Sequence, residues 1–113
     1  MTARNTLLAV PPFAVEQALK RLGSDLRIAR LRRNLTIAAV AEKIGTGRRA
    51  VMDAEKGKAS TGAVVYTALL WAYGLLDQLA DVAAPTLDRE GQALALGDQR
   101  SRARAADELD NDF

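Results

Sequence analysis

The 113-residue chain contains no cysteine and no histidine. The first absence excludes disulfides, thiol chemistry and thiolate zinc sites. The second removes the commonest general base and the commonest metal ligand. No paired carboxylates stand in a cleft-forming pattern. The run Gly57, Lys58, Ala59, Ser60 lacks the preceding glycine and the hydroxyl after lysine that a phosphate loop needs. No catalytic residue, no metal site and no cofactor is therefore expected, and the chain reads as a non-enzyme. No stretch approaches the ~20 apolar residues of a membrane span, and the apolar run at 7–10 is too short for a secretory signal. The cytoplasm is the default address, and no membrane partner is expected.

What is present is unevenly charged. The net charge is only +2, yet between residues 16 and 58 eleven bases face five acids. From residue 77 onward nine acids face four bases. A basic half suits a polyanion, and an acidic end suits a different partner.

The pattern predicts an all-α fold with one domain between loose ends: an arm over 1–11, a helical domain over 12–84, and a flexible charged tail over 85–113. Five helices are expected, at about 12–33, 36–44, 48–56, 61–73 and 75–83. Phe13, Ala14, Ala18, Leu19, Leu22, Leu26, Ala29 and Leu31 follow a helical stripe, which Gly23 and Ser24 could divide in two. Thr36 can cap the second helix, and Ser60 or Thr61 the fourth. In the tail Arg100, Arg102 and Arg104 alternate with small residues, a spacing that would line them along one side of an extended segment.

The most informative stretch is 35–57, LTIAAVAEKIGTGRRAVMDAEKG. Ile37, Val40, Ala41 and Ile44, then Val51 and Ala54, keep a helical period on both sides of Gly45, Thr46 and Gly47. Ala41 is small where two steeply crossed helices come closest, and Gly45 stands where the first must end in a left-handed residue. Together these demands describe a helix-turn-helix.

Residues 22–58, LGSDLRIARLRRNLTIAAVAEKIGTGRRAVMDAEKGK, resemble the lambda-repressor-like helix-turn-helix family of Xre or Cro type. The downstream ALLWAYGLLDQLADVAAPTLDREG, followed by RSRAR, is similar to HipB-type antitoxins. The resemblance implies five helices with the third in the DNA major groove, a twofold dimer, and a palindromic operator. It also implies repression of the protein's own operon and inhibition of a HipA-type serine/threonine kinase toxin. The family's base-contacting positions fall on Gly47, Arg48, Arg49 and Asp53, and its ion pair between first and third helices on Arg30 and Glu55. Three positions depart from the family. Ile37 replaces a phosphate-gripping glutamine, Ala54 a larger aliphatic, and Asp53 sets a negative charge toward the groove.

Arg48 and Arg49 open the recognition helix, where the backbone dipole adds to their charge. An arginine fork fits guanine O6 and N7, and serves equally on phosphates. The alternative is a solvent-facing pair with Arg49 held by Asp53 one turn on. Asp53 could instead accept from a cytosine amino group. Thr46 completes the groove-facing set, and Lys43, Lys56 and Lys58 are candidate phosphate contacts, with Arg32 and Arg33 behind them. Tyr66, Trp71 and Tyr73 are read as core or dimer contacts. Surplus apolar surface on the last two helices marks Leu70, Trp71, Leu75, Leu76 and Leu79 as a self-interface, which would space two recognition helices about 34 Å apart. The arginines of the tail could reach phosphates, and its acidic end, with Phe113, could dock on a basic partner or do neither. These readings place the chain on double-stranded DNA in the nucleoid. The rivals are a free-standing phage-type repressor without a toxin, and a protein-interaction module that has lost DNA binding.

Overall fold

The computed structural model describes residues 6–111, and every regular element among them is helical. In chain order these are α1 (Thr6–Ala9), α2 (Phe13–Arg32), α3 (Ile37–Ile44), α4 (Arg48–Glu55), α5 (Ala63–Ala72), a 3-10 helix (Leu76–Asp81) and α6 (Arg89–Asn111). The helical class is as expected, but the described residues hold seven helical elements where five were expected. The arm contributes α1, the expected fifth helix is the 3-10 segment, and α6 occupies most of the tail. Residues 1–5 of the arm, and Asp112 and Phe113 of the acidic end, lie outside the described residues. No helix among those described is long and apolar enough to cross a membrane.

The chain divides into two compact units, Met1–Asp77 and Gln78–Phe113. In the first, α4 packs on α2, α3 and α5, and α3 packs on α5. Leu26, Ala29, Val40, Ala41, Val51, Ala54, Tyr66, Leu69, Leu70 and Tyr73 form the buried core. Four helices end in the same way. Asn34, Gly45, Gly57 and Gly74 take positive φ after α2, α3, α4 and α5. The next residue's N–H then reaches back five residues to a carbonyl: Leu35 to Arg30, Thr46 to Ala41, Lys58 to Asp53 and Leu75 to Leu70. These closures satisfy carbonyls that a helix end otherwise leaves bare.

Helix α2 is not divided at Gly23 and Ser24. A Cβ on Gly23 would stand 2.5 Å from the Ala54 carbonyl oxygen and 2.7 Å from that of Glu55. The missing side chain lets α2 rest on the end of α4, so this glycine is a spacer and not a breaker. Ala54, fully buried, is the small residue on the other side of the same approach. The cap of α5 also differs. Thr61 donates its N–H to Lys58 in a turn, and the N-cap falls on Gly62, with no side-chain bond.

Of the five residues marked for a self-interface, Leu70 is taken up by the core and Leu75 is half-buried against it. Trp71, 57 % exposed, and Leu76 remain on the surface of the first unit, and Leu79 is exposed in the second. Periodicity marks a residue as apolar without telling which neighbour covers it.

In the second unit Asp88 accepts the N–H of Gly91 at 3.0 Å, and the Gln92 amide donates to the Pro85 carbonyl at 2.8 Å, starting α6. The extended reading of 100–104 is thereby corrected. In a helix, at about 100° per residue, Arg100 and Arg104 share a face while Arg102 turns away. Arg102 pairs with Asp98 at 3.2 Å. The physical reason is composition: alanine, arginine and leucine, abundant here, are strong helix formers in their own right.

Candidate nucleic-acid interface

The site is built from two helix ends. Thr36 Oγ1 accepts the Ala39 N–H at 3.0 Å and fixes the start of α3. Gly45, at φ 80°, turns the chain sharply, and Gly47 opens α4 in extended conformation. Thr46 lies half-buried in that turn, and Gly47 is exposed.

Arg48 and Arg49 follow at once, both exposed. Neither guanidinium makes a hydrogen bond or ion pair to any described residue. Asp53, one turn on from Arg49, is engaged elsewhere: its Oδ1 lies 3.3 Å from the Lys58 ammonium, a charge contact without hydrogen-bond alignment. Lys58 therefore offsets the negative charge of Asp53, and Arg49 is left free.

The other bases sort by what they touch. Lys56 is exposed, with no side-chain partner among the described residues. Lys43 donates to the Ala72 carbonyl at 3.3 Å and sits 6.0 Å from the Trp71 ring centroid. Arg33 donates to the carbonyls of Ala29 and Tyr73, each at 2.9 Å, and lies over the Tyr73 ring. Lys43 and Arg33 thus place positive charge at the carbonyl end of α5, where the helix dipole favours it. Arg32 is exposed.

Behind α4 lies a buried ion pair. Arg30 Nε donates to Glu55 Oε2 at 2.7 Å and its Nη2 donates to Glu55 Oε1 at 3.0 Å. Its third arm donates to the Leu35 carbonyl at 2.9 Å. One guanidinium therefore joins α2, the loop before α3, and the end of α4. The bond to Glu55 holds the Arg30 pKa above its ordinary value, against burial, which lowers it.

Tyr73 closes the same region. Its hydroxyl is buried and meets no hydrogen-bonding group of the protein. Burial, and next the Glu55 carboxylate, push the phenol above its ordinary 10.0, while Arg30 and Arg33 pull the other way. Below pH 10 the phenol is neutral in both folded and unfolded chains. As pH rises past 10 the unfolded chain ionises first, so stability falls until the raised folded pKa is crossed. Tyr73→Phe is expected to flatten that fall, by up to about 1.4 kcal/mol per pH unit. Melting temperatures of both proteins from pH 9 to 11 check it, and parallel curves would contradict it.

Two side chains that the sequence reading does not single out line a cleft beside this site: Met52, half-buried on α4, and Arg27, exposed on α2. The spacing of Arg48 and Met52, four residues apart on one face, was the available signal.

Two short helices set by a left-handed glycine, the second opening on free cations, define a helix-turn-helix DNA-binding unit. Residues 21–83, more than half of the chain, match the family described as helix-turn-helix domain, and the chain belongs to that family. Membership supports a DNA-binding regulator. No curated protein and no solved structure matches the chain.

Proposed function

We propose that the protein is a sequence-specific repressor that binds a palindromic operator as a dimer, controls its own operon, and serves as the antitoxin of a HipA-type serine/threonine kinase. The observation that carries the DNA reading is the free Arg48–Arg49 pair at the start of α4, a helix braced from behind by Arg30 and Glu55. A braced backbone behind exposed, unpaired cations suits base readout, since a guanine contact depends on the angle at which its arginine arrives. Thr46 and Gly47 bring the turn close to the same surface, Asp53 stands beside it, and Lys56, with Lys43 and Lys58 after release from their present partners, would meet phosphates. Trp71 and Leu76 supply apolar surface for a second copy. The toxin partner rests on the likeness of residues 68–91 and 100–104 to HipB-type antitoxins.

The test is binding of the protein to its own upstream DNA by fluorescence anisotropy at near-physiological salt, against unrelated DNA. Replacing Arg48 and Arg49 with alanine is expected to weaken specific binding by about 1–3 kcal/mol per arginine that reads a base. Pull-down with the product of an adjacent kinase gene separates the antitoxin from a free-standing phage-type repressor. A second reading, the protein-interaction module, is favoured by apolar Ile37 at the start of α3. Equal weak binding to every duplex, indifferent to the arginine variant, would select it.

A further inference from the structure

Ile37 and Met52 are half-buried, Ile37 with one side against the core, and both line two adjoining clefts. The first, about 660 Å³, is walled by Leu31, Thr36, Ile37, Ala38 and Met52 and bordered by Arg48. The second is bordered by Arg27, Lys56 and the buried, mutually neutralised Arg30–Glu55 pair. Arg48, Arg27 and Lys56 are exposed, and none has a side-chain partner among the described residues. An apolar ridge two side chains wide is therefore framed by free positive charge on both sides.

We propose that this ridge reads the C5-methyl group of a thymine. The inference rests on the DNA-binding reading and deepens it. Along the major-groove edges of the bases, hydrogen-bond donors and acceptors dominate, and the thymine methyl is the apolar feature that distinguishes one base pair from the others. The cations fix which macromolecule the ridge meets. Arg27 and Lys56 on one side and Arg48 on the other match phosphates and a guanine edge flanking a methyl group. A protein partner large enough to bind stably covers about 800 Å² on each side, far beyond two side chains. Arg48 and Met52, one helical turn apart on α4, thus read neighbouring base pairs: Arg48 by hydrogen bonds, and Met52 with Ile37 by exclusion of water from a methyl group.

The test uses the full chain and a pool of random-sequence duplexes. The recovered consensus is resynthesised with each thymine replaced in turn by deoxyuridine, which deletes only the methyl group. Losing one buried methyl is expected to weaken binding about fourfold. That loss should appear at a thymine adjacent to a guanine and be absent at the other thymines. Met52→Ser and Ile37→Ser should each bind thymine and uracil duplexes more nearly alike at that position, with thermal melts showing that both fold. Indifference of the native protein to every deoxyuridine overturns the methyl contact while leaving DNA binding in place. Uracil discrimination undiminished in both folded variants overturns the assignment to this ridge. No enrichment from the pool overturns the methyl reading and the repressor together, and leaves the ridge to a protein partner.

Discussion

Glu55→Ala is expected to destabilise the protein by about 3–5 kcal/mol, whereas Glu42→Ala should stay within about 0.5 kcal/mol. Glu42 is exposed. The two carboxylates are the same group in different surroundings. The Glu55 and Arg30 side chains are 7 % and 9 % exposed, and Glu55 accepts two of the three hydrogen bonds that Arg30 donates. Deleting Glu55 strands a buried guanidinium with only the Leu35 carbonyl, and a buried charge without its counter-ion is the costly state. A domain of this size has about 5–15 kcal/mol in total, so the variant would lose a large part of it. At roughly 4–8 °C per kcal/mol, the melting temperature should fall by more than ten degrees. Removing both partners is the sharper comparison. Arg30→Met with Glu55→Leu fills the space without stranding a charge, and should be more stable than Glu55→Ala alone. Urea midpoints of the four proteins decide it, and equal losses from Glu42→Ala and Glu55→Ala would mean that the pair holds nothing together. The double variant also separates two roles of the pair. If it folds well yet binds DNA poorly, the pair sets the angle of α4 more than the stability of the domain.

The residues that were easy to read in the sequence act within one turn of themselves. Thr36 caps the helix that begins beside it, and Gly45 ends the one just before it, so short windows suffice. Gly23 shows the limit. Locally a glycine followed by serine looks like a break, and only the Ala54 and Glu55 carbonyls, some thirty residues away, reveal a close approach. Lys43 and Arg33 show it again: as charges they look like phosphate contacts, while the carbonyls they meet, Ala72 and Tyr73, are set by the packing of α5. Asn34 closes α2 with the same left-handed turn as the glycines, a role open to asparagine but too common a residue to stand out. The helix at 89–111 was masked for a different reason. Its charges and small residues look like a tail when judged by the core they fail to build, although their intrinsic helix preference is high.

Gly57→Ala should cost roughly 2–5 kcal/mol, because two penalties meet at one residue. Gly57 closes α4 at φ 69°, and a Cβ there would lie 2.5 Å from the Leu19 carbonyl oxygen and 2.6 Å from the Lys20 Cα. The left-handed backbone alone costs alanine about 1–2 kcal/mol. The overlap adds about 1–3 kcal/mol, since both obstacles are backbone atoms of α2 and cannot swing away as a side chain would. Gly45→Ala isolates the first penalty: its φ is 80°, with nothing within 4 Å of the added carbon. Gly62→Ala carries neither and, since alanine caps a helix less well than glycine, should cost about 1 kcal/mol or less at the start of α5. The order of denaturation midpoints is therefore Gly62→Ala, then Gly45→Ala, then Gly57→Ala. Equal midpoints for the last two would mean that α2 does not press on the end of α4. The consequence for DNA follows from where the strain falls. Glu55, the carbonyls facing Gly23, and Gly57 all lie in the last turn and closing loop of α4, so this end is the pivot and Arg48 and Arg49 at the other end are the pointer. A few tenths of an ångström forced in at the pivot tilts the whole helix, and contacts that tolerate about 0.5 Å lose alignment before the fold is lost. Gly57→Ala should thus weaken specific DNA binding even at temperatures where the protein remains fully folded, and Gly45→Ala, which strains the turn without pressing on α2, should weaken it less.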